Sequence, residues 1–283
     1  MDFHENDLIS LYLSELKKIE DFNSAKQKIQ LYSHSQLGKV LIINDEIQHI
    51  EKYQVLYHEL LVHLPTAFIP EIRNVLILGG GSLFAASEVL KYPTIESVTL
   101  CDYDHEVLDL MDKYYNHAKK VRNDARFRYI EQDAKKYIKN ENNKYDLIIN
   151  DCFNLIKESE NLEISLYSQC SNLCSQNGLC VDIIYRHIFD TQITQNSLIE
   201  LKKQNNLALS LVAIPEYPGI LHLETIWGKS RYLSQTAKKP VNFFQFKKII
   251  NDPQIDFHLE YFNPAFLPFY LYLPPYIKNK FTL

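Results

Sequence analysis

The stretch Val75-Leu76-Ile77-Leu78-Gly79-Gly80-Gly81-Ser82 sets four apolar residues directly before three consecutive glycines. An apolar run of that length, closed by a turn signal, reads as a buried strand. Glycine has no Cβ, so the backbone after the strand can turn sharply and lie close against a bound molecule. The chain has 7 glycines among 283 residues, so three in one turn are a concentrated feature. Leu83–Leu90 follows with helical spacing. A helix there offers free N–H groups and the positive end of its dipole. Strand, glycine turn and helix in that order constrain the region to an α/β unit with its ligand at the turn.

The alternation continues downstream. Ser97–Cys101, Phe127–Ile130, Leu147–Ile149 and Leu179–Ile184 read as strands, and His105–Tyr115, Ala134–Ile138 and Leu166–Cys174 as helices. Strands alternating with helices imply a parallel sheet with crossover helices. Ala208–Ile214 and Leu221–Trp227 flank the turn Glu216-Tyr217-Pro218-Gly219, which predicts an antiparallel hairpin at the sheet's edge. The expected architecture is α/β: a mostly parallel, seven-stranded, Rossmann-like sheet with an antiparallel hairpin edge, which resembles the S-adenosylmethionine-dependent transferase fold.

Upstream, Gln27–Ser33, Lys39–Asn44 and Glu46–Ile50 are rich in β-formers and predict a small antiparallel sheet. Lys52–Leu64 carries Val55, Leu56, Leu60, Leu61 and Leu64 at helical spacing, and Pro65 and Pro70 are expected to end that helix. The predicted division is an N-terminal β domain with its connecting helix, residues 1–70, and a Rossmann-like catalytic domain, residues 71–283.

Composition narrows the functional classes. The formal net charge is −5, and the lysines are scattered in pairs such as Lys119–Lys120. No basic stripe tracks a phosphate backbone, so no nucleic-acid partner is expected. No apolar stretch approaches the length of a bilayer, and the acidic start Met1-Asp2-Phe3-His4-Glu5 lacks the features of a signal peptide. A cytoplasmic location without membrane association is expected. Five cysteines, an odd number, fit a reducing compartment, and Cys170 and Cys174 lack a second ligand pair. No metal is expected.

Three carboxylates close successive strand units. Asp102 lies about twenty residues past the glycines, where an acid can accept hydrogen bonds from both ribose hydroxyls. Asp133, followed by Ala134, stands where an acceptor meets the exocyclic amine of adenine; it is also a good helix N-cap. Asp151 ends the fourth strand and can hold or deprotonate an attacking amine. Ligands on open α/β sheets lie beyond the carboxyl ends of the strands, where all three fall. The glycines lack the G-x-G-x-x-G spacing of a dinucleotide site, because Phe84 occupies the third glycine position. A nucleoside sulfonium cofactor is therefore expected rather than NAD.

With these residues in place, the chain resembles the spermidine synthase (polyamine aminopropyltransferase) family nearly end to end. The matching segments are Ile47-Gln48, Tyr57-His58-Glu59, the glycine turn, Asp102, Asp133 and Asp151. Downstream they are Ala213-Ile214-Pro215-Glu216-Tyr217, Tyr261-Phe262-Asn263-Pro264 and Leu273-Pro274. The resemblance implies polyamine biosynthesis, with an aminopropyl group passing from decarboxylated S-adenosylmethionine to a small-molecule amine in a homodimer or homotetramer. It implies that Gln48, Gly79, Gly80, Gly81, Asp102, Asp133 and Ala134 face the donor. It further implies catalytic roles for Asp151 and Tyr57, with His58, Ser82, Asn154, Glu216 and Tyr217 toward the amine.

The departures fall on the amine side. Ser82 replaces an acid after the glycines, and Asn154 replaces the second Asp of the D-x-x-D motif. Leu155–Glu160 replaces a Pro- and Gly-rich gate, and Leu267 replaces a late His. An amine with a pKa near 10 is only about 0.1% neutral at pH 7, yet only the neutral form attacks carbon. A positioned base is therefore needed, and each lost acid weakens the grip on a cationic substrate. Three readings stay open here. The first is a divergent aminopropyltransferase in which Glu216, Glu158 or Glu160 compensates. The second is an enzyme that uses intact S-adenosylmethionine for methyl or 3-amino-3-carboxypropyl transfer. The third is a catalytically silent nucleoside-binding homologue.

Overall fold

A computed structural model describes residues 1–4, 10–152, 165–184, 191–204, 206–217, 221–253, 255 and 257–281. Strands β1 (Asp2–His4) and β2 (Ser10–Tyr12) form a short ladder. Strands β3 (Lys17–Asn23), β4 (Lys28–His34), β5 (Gly38–Ile43) and β6 (Glu46–Ile50) form an antiparallel sheet in that order. Three of its strands are those expected; β3, with the sequence Lys-Lys-Ile-Glu-Asp-Phe-Asn, is an additional edge strand.

The large sheet comprises β7 (Asn74–Gly79), β8 (Ser97–Asp102), β9 (Phe127–Glu131), β10 (Tyr145–Asp151), β11 (Cys174–Ile184), β12 (Asn206–Ala213) and β13 (Leu221–Gly228). Its order is β12-β13-β11-β10-β7-β8-β9. The strands β7 to β11 run parallel, and β13 runs antiparallel to both β11 and β12. β7 therefore has β8 on one side and β10 on the other. That reversal of strand order opens a crevice at the carboxyl ends, where open α/β sheets hold ligands. Register brings Asp151 beside Gly79 and Cys101 beside Leu78, so the glycine turn leaves the sheet between Asp102 and Asp151.

Helix α1 (Gln54–Thr66) is buried at every residue from His58 onward, because it packs against the large sheet and against α2 (Phe84–Leu90). Pro65 does not end α1, as expected, but sits inside its last turn. The helix has one residue left to run there, so little backbone bonding is forfeited. The amides of Ala67 still reach the carbonyls of His63 and Leu64. Glu59, only 1% exposed, accepts the backbone N–H groups of Glu260, Tyr261 and Phe262 at 2.8, 2.9 and 2.7 Å. One carboxylate thus fastens the C-terminal stretch to α1.

The small sheet closes over the crevice. Between β3 and β4, Ser24 donates from its hydroxyl to Asp104 at 2.6 Å. Asp104 is the N-cap of α3 (His105–Tyr114) and accepts from the amide of Glu106. One continuous apolar cluster joins Ile29, Leu31 and Leu41 of the small sheet to Leu60 and Leu61 of α1 and to Val75 and Ile77 of the large sheet.

Candidate active site

A cleft of about 450 Å³ opens at the end of β7, a size suited to a nucleoside with its tail. The glycine turn forms its floor. Gly79 and Gly80 adopt φ of +76° and +75°, in the left-handed region that side chains avoid. A Cβ on Gly79 would collide with the Cβ of Cys152 just past β10. A Cβ on Gly80 would stand 3.1 Å from Oδ2 of Asp151, and one on Gly81 3.1 Å from Oδ2 of Asp102. The three glycines therefore let two carboxylates from different strands approach one turn. Leu83, at φ +64°, carries the left-handed bend into α2 and is fully buried.

Asp102 faces the cleft, not bulk solvent. Its Oδ2 accepts the Gly81 N–H at 3.1 Å and its Oδ1 the Asp104 N–H at 3.0 Å. Burial raises its pKa, and these amide donors pull the other way. Both bonds fix the carboxyl group at the turn.

Asp151 is the second acid. The Tyr57 phenol donates to its Oδ1 at 2.6 Å, linking α1 to the end of β10. Burial pushes the Asp151 pKa up to about 7; the Tyr57 bond opposes the shift and the charge of Asp102 adds to it. A carboxylate that titrates near neutrality is suited to take up a proton at physiological pH.

An aromatic and imidazole cluster backs the wall that His49 and His58 line. The Phe84 ring lies 3.9 Å from His117 in a stacked pair, 5.0 Å from His49 and 5.1 Å from His58. His49 bonds the Tyr115 hydroxyl at 3.0 Å, His58 bonds the Gln54 carbonyl at 2.9 Å, and His117 bonds the Ser82 carbonyl at 3.0 Å. Burial lowers the His49 pKa to about 3 and that of His58 to about 4. Both are neutral at physiological pH, so this wall presents imidazole dipoles rather than cations.

The sequence-derived residues divide as follows. Gln48, Tyr57, His58, Gly80, Gly81, Ser82, Asp102, Asp151, Glu216 and Tyr217 line the cleft together. Gly79 supports the turn from behind. Asp133 and Ala134 are not among the lining residues; Asp133 caps helix α4 (Ala134–Asn140), accepting from the Lys136 amide at 3.0 Å. Glu216 lines the cleft, but its Oε1 accepts the Ile50 N–H at 2.7 Å, so its job is to tie the hairpin turn to β6. The Tyr217 hydroxyl likewise donates to the Ile47 carbonyl at 3.0 Å. Leu267 is fully buried in the core. Asn154, Glu158 and Glu160, with the rest of the segment that replaces the gate, lie outside the described residues. No cluster of three metal-ligating side chains occurs among the described residues, and none of their helices is long and apolar enough to cross a membrane.

Sequence reasoning missed His49, Gln54 and Tyr103, which also line the cleft. His49 carries no local signal, because its neighbours in space come from α2 and from Tyr115, some 66 residues away in the chain.

Known proteins resemble this chain in sequence and in fold. Residues 54–238 match the spermine/spermidine synthase domain family. A polyamine aminopropyltransferase of Buchnera aphidicola is 30% identical over 258 residues, covering 89% of this chain and 87% of its own. Polyamine aminopropyltransferase 1 of Aquifex aeolicus is 38% identical over 128 residues, covering 45% of this chain and 46% of its own. The crystal structure of spermidine synthase from Thermotoga maritima superposes with a TM-score of 0.79 at 23% identity, covering 94% of this chain and 88% of that one. The family match and the Buchnera relative both span most of the fold and the whole glycine turn, and on that basis the chain belongs to the spermine/spermidine synthase family.

Proposed function

We propose that the protein is an aminopropyltransferase that moves the aminopropyl group of decarboxylated S-adenosylmethionine to a small-molecule amine. The observation that carries this reading is the convergence of Asp102 and Asp151 on one glycine turn, with Tyr57 bonded to Asp151. The relatives named polyamine aminopropyltransferase support it. In this reading the adenosine lies on Gly80 and Gly81, with its ribose hydroxyls donating to Asp102, and Gln48 faces the donor's tail. Asp133 and Ala134 would meet the adenine from beyond the described cleft wall.

The acceptor nitrogen attacks the carbon next to sulfur. A C–N bond forms, the C–S bond breaks, and its electron pair stays on sulfur to give neutral 5′-methylthioadenosine. The nitrogen gains a formal positive charge and releases a proton, which Asp151 accepts. Tyr57 orients Asp151 and keeps its pKa from rising further, so that part of the population is ionised at neutral pH. Alignment of nitrogen, carbon and sulfur supplies the remaining acceleration. His58, Ser82, Asn154, Glu216 and Tyr217 shape the acceptor side. A homodimer or homotetramer in the cytoplasm completes the proposal.

The test is product analysis. Purified protein is incubated with decarboxylated or intact S-adenosylmethionine and a series of amines, followed by mass spectrometry. The proposal expects 5′-methylthioadenosine and an amine heavier by one aminopropyl group, only from the decarboxylated donor. S-adenosylhomocysteine would show methyl transfer instead, and no product from either donor would leave the protein a binder.

A further inference from the structure

Glu224 stands in the middle of β13 and is fully buried. Among the described residues, neither of its carboxyl oxygens has a hydrogen-bond partner. It is paired with Ser210 on β12 and Ile183 on β11, and the Ser210 hydroxyl is also buried without a partner among the described residues. Side chains alternate along a strand, so Glu224 shares a face with His222 and Ile226. That is the face toward α1, because Ile226, Ile183 and Val212 pack in one cluster with Leu60 and Leu61. On α1 itself, the side-chain oxygen of Gln54 is also buried and without a partner among the described residues, and Gln54 lines the cleft. The His222 ring lies 5.8 Å from Tyr217, another lining residue. The hairpin thus leads from Tyr217, which lines the cleft, through His222 to Glu224, which do not, with unpartnered atoms among the described residues on Glu224, on Ser210 and on Gln54 of α1.

A buried acid with no donor is rare and demands an explanation. Three acids that line the cleft already have donors: Gly81 and Asp104 serve Asp102, Tyr57 serves Asp151, and Ile50 serves Glu216. Ser82 and Asn154 carry no charge to replace the acids that the family resemblance leads one to expect there. A cation entering next to Glu224 would meet a donor-less carboxyl group that can ionise to pair with it, so that no net charge is buried.

We infer that Glu224 is the counter-charge for the distal ammonium of an α,ω-diamine acceptor, whose reacting nitrogen lies at Asp151. This rests on the aminopropyltransferase reading for its reaction but not for its binding. The diamine chain runs from the cleft past Tyr217 and His222, and its far nitrogen donates to Glu224. Glu224 is then a specificity-determining residue. It favours acceptors with a second cationic nitrogen and sets their length.

The test is isothermal calorimetry of diamines from 1,3-diaminopropane to 1,6-diaminohexane, and of the matching n-alkylamines, with 5′-methylthioadenosine present. It is run on the full chain and on its Glu224→Gln and Glu224→Asp variants, beside steady-state kinetics. The wild type is expected to prefer a diamine over its monoamine. E224Q should weaken the diamine about 10- to 100-fold, with monoamine and methylthioadenosine affinity unchanged and kcat at saturating diamine within about threefold of wild type. E224D, which keeps the charge on a shorter stem, should retain the preference and shift it toward longer diamines. Equal diamine affinity in wild type and E224Q overturns the inference, as does a wild type blind to the second nitrogen. Should E224Q fail to fold, E224D decides, because an unshifted length preference overturns it. Glu224-dependent diamine binding without transfer would refute the reaction and keep this inference; transfer indifferent to Glu224 would do the reverse.

Discussion

The phenol of Tyr57 and the carboxylate of Asp151, 94 residues apart in sequence, meet at 2.6 Å and join α1 to the carboxyl end of β10. The bond gives Asp151 a fixed orientation and opposes the upward pull of burial on its pKa. Tyr57→Phe removes the donor and leaves the ring. The acid limb of the kcat profile, set near pH 7 by Asp151, is expected to move to higher pH, with kcat at neutrality falling about tenfold. Asp151→Asn removes the base and should cost about 10² to 10⁴ in kcat. A pH–rate profile of both variants against wild type checks this, and an unmoved limb in Y57F would contradict the coupling.

Asp102 is expected to act on binding rather than on the chemical step. Asp102→Ala should raise the Kd for 5′-methylthioadenosine about 10- to 100-fold, with a smaller change in kcat at saturating donor. It also strips the Gly81 and Asp104 amides of their acceptor, which costs about 1–3 kcal/mol of stability. Calorimetry and a thermal melt separate the two effects.

The glycines are expected to differ from one another. Gly79 has φ of +76°, and its added Cβ would collide with Cys152. Gly79→Ala should therefore destabilise the fold by several kcal/mol, on the order of 3 or more. Gly81 has no positive φ, and its Cβ would meet Asp102 at 3.1 Å and Val107 at 3.2 Å. Gly81→Ala is expected to fold with a small loss of Tm while ligand affinity drops, because the methyl group fills the space between turn and carboxylate.

The glycine turn and the mostly parallel sheet with its hairpin edge were legible, because a buried strand ending in glycines and repeated strand–helix alternation have few other readings. Strand β3 was not, because its charged sequence carries no clean alternation and it lies at an edge, half in solvent. Asp133 was ambiguous for a physical reason: one position after a strand serves equally as a ligand acceptor and as an N-cap, and here it caps α4. Glu224 was invisible. Leu221-His222-Leu223-Glu224 alternates as an edge strand with one wet face does, and nothing local announces that α1 covers that face. The contact of His49 with Tyr115 was equally hidden, since packing between distant segments creates it.

Stability should depend on pH in a way these buried groups dictate. In the folded protein Asp151 and Asp182 hold protons up to about pH 7 and Glu224 up to about 8, where the unfolded chain has released them. Stability is therefore lost as pH rises through those values, by at most about 1.4 kcal/mol per pH unit for each retained proton. The histidines act oppositely: His49 and His58 stay neutral when folded but charge below pH 6.5 when unfolded, so acidification costs stability. Below pH 6.5 the two histidines offset two of the three acids, and above it only the acids remain. The Tm of the ligand-free protein is expected to fall gently from pH 4.5 to 6.5 and more steeply from there to pH 7, with Glu224 alone extending the fall to pH 8. Glu224→Gln should flatten the upper part of that fall, as thermal denaturation across buffers will reveal.

The grip of Glu59 on residues 260–262 makes the far end of the chain a mooring for the reaction centre. Tyr57 and His58 immediately precede Glu59 on the same helical turn. Severing the chain before residue 260 would strand an acid in the protein's interior and loosen the rod that aims the phenol at Asp151. Catalysis would then fail from a cut among residues that never touch either substrate, and a tight handle fused there would disturb the reaction before it disturbed the fold.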